Sequence, residues 1–86
     1  MEKLKFDTEL FFSLPTCRGQ LTDGQGRFDA IGAFNEVCGY PQQYMELEDL
    51  TDCPDFAGMV IRINDSIHPE LAKTYLVRQL KHWELI

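Results

Sequence analysis

The sequence predicts a mainly α-helical protein, a small single-domain bundle of three or four helices with a short β-hairpin or glycine turn before the second helix. Apolar residues in the runs that begin at Asp29, Pro54 and Pro69 recur every three or four positions, the repeat of one helix face rather than of a strand. Each of these runs also opens and closes on residues that suit helix ends. With 86 residues, 44% of them hydrophobic and ten aromatic, the chain can build one modest core. A chain of this size buries about 60–65% of its extended surface.

The first element, Leu4 to Leu14, reads in two ways. Leu4, Phe6, Thr8, Leu10, Phe12 and Leu14 alternate like a strand, while Phe6, Leu10, Phe11 and Leu14 fit a helix. The helix is preferred, with Asp7 as its cap, Phe6 packed on Phe11 as a hydrophobic staple and Pro15 ending it. A strand here would make the fold α+β.

The next stretch, Arg18 to Gly39, is the hub. Its turn, Asp23-Gly24-Gln25-Gly26, has glycines able to take the positive φ angles of a tight reversal between Arg18-Gly-Gln-Leu-Thr and Arg27-Phe28. It feeds a helix carrying Ala30, Ile31, Ala33, Phe34, Val37 and Cys38 on one face, capped by Asp29 and stopped by Gly39, with Pro41 beyond. Gly32 inside that helix costs about 1 kcal/mol relative to alanine, so another backbone or a large ring is expected to pack against it. Beyond the hub, Pro41 and Gln42-Gln43-Tyr44-Met45 open a short helix towards Leu50. Pro54 starts a clearer one, with Phe56, Met59, Val60 and Ile63 on one face, closed by Asn64-Asp65. The longest helix begins at Pro69, with Leu71, Ala72, Tyr75, Leu76, Leu80 and Trp83 on one side and Lys73, Arg78 and Lys81 on the other. Glu70 near its start and Lys81 and His82 near its end complement the helix dipole.

The run from Gly19 to Ala33, in which Gly26-Arg27-Phe28-Asp29-Ala30-Ile31-Gly32-Ala33 is the core, resembles the Gly-x-Leu-x-Asp-x-x-Gly-Arg-x-Cys-Ala-Leu-Gly-Ala signature of a group of small uncharacterised bacterial and phage-encoded proteins. That group also carries an Asn-Asp pair after a second apolar helix, to which Asn64-Asp65 is similar. The resemblance covers about half of the chain and implies a mainly helical fold with no known activity. Asp29 stands where the group has cysteine, so any role of that thiol is absent here.

Composition excludes several functions. No apolar run approaches the roughly 20 residues that span a bilayer, and Met1-Glu-Lys-Leu-Lys lacks a signal peptide's apolar segment, so a soluble cytoplasmic protein is expected. Cys17, Cys38 and Cys53 are odd in number and widely spaced, which argues against a disulfide framework. Together with His68 and His82 they lack the close pairs that anchor zinc, and no metal or cofactor is expected. The glycine turn has neither the three-glycine fingerprint nor the Lys-Ser/Thr pair of a phosphate loop, and Asp23 and Asp29 lack the ligand spacing of a calcium loop.

Fourteen acids against eight bases give a net charge of −6, and no lysine or arginine lies between Phe28 and Ile61. Glu46, Glu48, Asp49, Asp52 and Asp55 fall within ten residues. Their local negative potential disfavours direct nucleic-acid binding and attracts a basic partner. The plain reading is a solvated loop that keeps a small protein in solution; the sharper one is a surface that imitates phosphates and engages the basic surface of a host protein. The competing reading, a small-ligand or enzymatic site, rests on the polar cluster Asn64, Asp65, Ser66 and His68, residues that at a helix junction are first of all caps. No catalytic residue is assigned, since Ser13, Ser66 and the cysteines have only His68 and His82 as possible bases and no nucleophile-elbow sequence is present. The expected protein is therefore a non-enzymatic interaction module, an accessory or inhibitory protein of phage or mobile-element type, with a homodimer left open.

Overall fold

Five helices form among residues 3–86, which are the residues that the structure, a computed structural model, describes: α1 (Thr8–Ser13), α2 (Ala30–Cys38), α3 (Met45–Thr51), α4 (Pro54–Ser66) and α5 (Pro69–His82). The fold is mainly helical, as the apolar spacing predicts. The short helices α1 and α3 both form, which lifts the count above the expected three or four. Among the described residues there is no sheet, only isolated bridges of Phe28 to Thr16 and to Thr22. The α+β alternative is thus not realised, and the reversal before α2 is a glycine turn closed by single bridges. No described helix is long and apolar enough to cross a membrane.

Local chemistry sets α1 as helix over strand. The Asp7 carboxylate accepts the Leu10 N–H at 3.0 Å, and the Phe6 and Phe11 rings pack in a tilted contact at 5.0 Å between centroids. This satisfies a first-turn donor and fixes the entry angle of the chain, which an alternating pattern alone cannot outweigh. The far end of α1 is held by Lys73, whose Nζ donates to the Leu14 carbonyl at 2.8 Å and lies 5.5 Å from the centre of the Phe11 ring. Lys73 was expected on the polar side of α5 and is instead fully buried. Its ammonium replaces water with a carbonyl and an aromatic face, while burial pulls its pKa below the usual lysine range against the opposing pull of Glu70.

The central element is α2, in which Ala30 to Asn35 are all buried. A helix covered on every side needs neighbours all round. It receives α1, α4 and α5, and residues 41–44 wrap over it: Gln42 Nε2 donates to the Gly32 carbonyl at 3.0 Å and Asn35 Nδ2 to the Gln43 carbonyl at 2.9 Å. Those contacts explain why α3 starts at Met45 rather than at Pro41 or Gln42. Gly39 closes α2 in the left-handed conformation at φ 77°. A Cβ on Gly32 would lie 1.9 Å from the Leu21 carbonyl oxygen, so of the two expected partners, a backbone or a large ring, it is the backbone of the glycine loop that packs there.

The core draws on every helix, through Phe11, Ile31, Phe34, Leu47, Phe56, Val60, Leu76 and Leu80. α4 and α5 make the most extensive pair. The inward stripe of α4 is Phe56, Ala57, Val60 and Asn64, rotated from the expected one so that Met59 faces solvent. On α5, Leu71 and Trp83 likewise lie outside the core, and Trp83, 38% exposed, packs edge-on against Phe56 at 5.1 Å. The residue that completes the lower core is Leu85, whose carbonyl also accepts the Leu4 N–H at 2.7 Å.

Candidate functional site

Asn64 and Asp65 do not face outward at a helix junction. They sit in the last turn of α4 and reach into the glycine loop. Asn64 is buried; its Oδ1 accepts the Ala30 N–H at 3.0 Å, and its Nδ2 donates to the Cys17 carbonyl at 3.1 Å and to Asp65 Oδ1 at 2.9 Å. The same Asp65 oxygen accepts the Gly19 N–H at 2.9 Å, and Arg18 donates to the Ile67 carbonyl at 3.3 Å. One amide therefore satisfies a free donor at the start of α2 and a carbonyl of the loop, groups that would otherwise be buried without partners. The loop and the Asn-Asp pair, the two segments of the chain that carry the resemblance, meet here.

Asp29 belongs to the same node. Its side chain is 2% exposed, and Oδ1 accepts the Gly32 N–H at 2.7 Å. Burial pushes its pKa up to about 6, with the nearby Asp65 charge adding to the rise and the N–H groups of Gly32 and Ile31 opposing it. Tyr44 stands beside the node, its phenol raised first by burial and then by Asp29, Asp65 and Cys17. Cys17, half-buried, donates to the Gln20 carbonyl at 3.4 Å, and burial followed by the Asp29 charge raises its thiol above the usual range. Burial alone pushes Cys38 to about 11. Both thiols are held protonated, the reverse of an activated nucleophile.

Ser66 and His68 lie apart from this node. Both are exposed, and His68 Nδ1 accepts the Glu70 N–H at 3.0 Å as the cap of α5. The four polar residues thus divide into an inward pair that organises the loop and an outward pair at the junction. No group of three His, Cys, Asp or Glu side chains that could hold a metal ion occurs among the described residues. On the turn, Asp23 accepts the Gln25 N–H at 2.8 Å and pairs with Arg27, contacts that lower its pKa, those to the Gln25 and Arg27 backbone and side chain each in that direction.

The five acidic candidates occupy the corner between α3 and α4. Glu46 and Glu48 lie in the first turn of α3, Asp52 is its left-handed cap at φ 51°, and Asp55 lies in the first turn of α4. Three of those positions suit the positive end of a helix dipole. Asp49, Asp52 and Asp55 are exposed, Glu46 and Glu48 partly so, and none of the five is in an ion pair among the described residues. Met45, 59% exposed, leads directly into them. Charge spacing in the sequence marks this corner, but Asp29, Asn35, Asn64 and Lys73 were not foreseen as buried polar groups. Only Asn35, an amide in the middle of the apolar run from Ala30 to Val37, carried a visible signal.

No family model, curated protein or solved structure matches this chain.

Proposed function

We propose that this is a non-enzymatic interaction module that presents the α3–α4 corner to a basic surface on a partner protein, as an accessory or inhibitory protein of phage or mobile-element type. The observation that carries this reading is a group of five exposed or partly exposed carboxylates, none of them in an ion pair among the described residues. Such a corner steers a positively charged partner over distances of a Debye length, about 8–10 Å at physiological salt. Met45 beside it supplies an adaptable apolar contact of the kind that turns an encounter into a complex. The buried node argues in the same direction: its polar groups are used to hold α2, α4 and the loop together, leaving no convergent nucleophile and base. A pull-down from lysate in low and high salt tests the proposal. Capture that disappears as ionic strength rises is the expected result, and capture indifferent to salt overturns it.

A further inference from the structure

A second surface has the opposite charge. Between α1 and α5 lies a groove of about 370 Å³ lined by Thr8, Phe12, Thr74, Val77, Arg78 and Lys81. That volume falls in the range of small-molecule sites, about 300–1,000 Å³. Phe12 and Val77 give it an apolar wall, the Thr74 hydroxyl is engaged with the Glu70 carbonyl at 3.0 Å, and among the described residues no carboxylate lines it. Arg78 and Lys81 are three residues apart on α5, so their Cβ atoms stand about 5–6 Å apart on one face. Neither is in an ion pair among the described residues. The neighbouring cation, Lys73, is already committed to the Leu14 carbonyl, and the nearest acid on α5, Glu70, leans towards Lys73 at 3.8 Å.

We propose that this groove binds a small amphipathic carboxylate, with its acyl chain along Phe12 and Val77 and its head between Arg78 and Lys81. The arginine fork matches a carboxylate's two oxygens, and the lysine adds a point charge. An apolar wall with Arg78 and Lys81 among its lining residues suits a tail carrying one anionic head better than a bare anion, which would leave the wall uncovered. Decanoate, a straight acyl chain ending in a carboxylate, represents that class. This inference is independent of the acidic corner, which lies on other helices.

An NMR titration of labelled protein with decanoate, below its micelle concentration, provides the test. Saturable shifts at Thr8, Phe12, Thr74, Val77, Arg78 and Lys81 are expected, with decylamine and acetate at the same concentration giving none. The double change Arg78→Gln with Lys81→Gln alters exposed side chains only and should weaken decanoate at least tenfold. Thr74→Trp, which fills the groove from an exposed position, should abolish binding. Should that variant fail to fold, the charge variant alone decides. Equal binding of decylamine, an unchanged affinity in the charge variant, or shifts that map elsewhere would overturn the proposal.

Discussion

Asp29 and Asp52 each stand at the end of a helix, in regions that differ in nearly every physical respect. Around Asp29 the carboxylate is buried and hydrogen-bonded, and the nearby Asn64 amide is buried and hydrogen-bonded as well. Around Asp52 the carboxylates are exposed or partly so, in no ion pair among the described residues, and set on the ends of α3 and α4. Charge at the node is a cost that the fold accepts in order to join α2, α4 and the loop. At the corner the expectation is the reverse, that the folding of the chain does not depend on it. The two regions therefore separate what holds this molecule together from what it can offer to another, and substitutions should respond accordingly.

The sharpest contrast uses two helical glycines. A methyl group on Gly32 would overlap the Leu21 carbonyl, which is itself fixed by the Asp29 N–H at 3.1 Å, whereas nothing lies within 4 Å of a Cβ on Gly58. Gly32→Ala should cost more than about 4 kcal/mol, in the tail of overpacking effects, while Gly58→Ala should gain up to about 1 kcal/mol by helix propensity. Urea denaturation of the two variants measures both. Equal and small effects would remove the loop from its place against α2. Next in size is Phe34→Ala, at about 3–5 kcal/mol for a fully buried ring. Trp83→Ala, for which a similar cost holds only if the ring is buried, should lose roughly half of that because the ring is part-exposed on the edge of Phe56.

The legible part of this fold was whatever local chemistry decides. The Asp7 and Asp29 caps, the Phe6–Phe11 staple, the Gly39 stop and the demand for a close neighbour, backbone or ring, at Gly32 all follow from neighbours in sequence. Partners distant in sequence were not legible. Asn64 lies 34 residues from Ala30 and 47 from Cys17, so nothing in its own vicinity distinguishes a buried connector from a cap. Lys73 reads as solvated until Leu14 and Phe11 are placed over it. The acidic corner, in contrast, was visible from the spacing of its charges, five acids within ten residues and no lysine or arginine between Phe28 and Ile61.

Asp29 yields a smaller effect with a definite sign. Its pKa rises on folding from 3.8 to about 6, so between those values the native state binds more protons than the unfolded chain. Its contribution is therefore most favourable below about pH 4 and is lost as pH rises to about 6, by on the order of 2–3 kcal/mol at most. Asn caps a helix about as well as Asp without the charge. Asp29→Asn should accordingly match the wild type near pH 4 and exceed it at pH 7, a difference readable from denaturation midpoints across that range. A variant less stable at pH 7 would mean that the charge, not the hydrogen bond, is what α2 requires.

The smallest expected change in stability belongs to the corner. Replacing Glu48, Asp49 and Asp52 together by Gln, Asn and Asn removes three charges that have no cation beside them, and surface substitutions of this kind stay within about ±0.5 kcal/mol. Two terms oppose each other. Glu48 loses a favourable interaction with the start of α3, worth about 0.3–1 kcal/mol, while the remaining acids are relieved of like-charge repulsion. At position 52 the backbone is left-handed, a conformation that Asn tolerates better than most residues, so that change adds no strain. The melting temperature should hold or rise slightly, and capture of the salt-sensitive partner should be lost. A triple variant that melts several degrees lower would show that these carboxylates support the fold, and the division between a structural node and a binding corner would fail at the point where it is most easily measured.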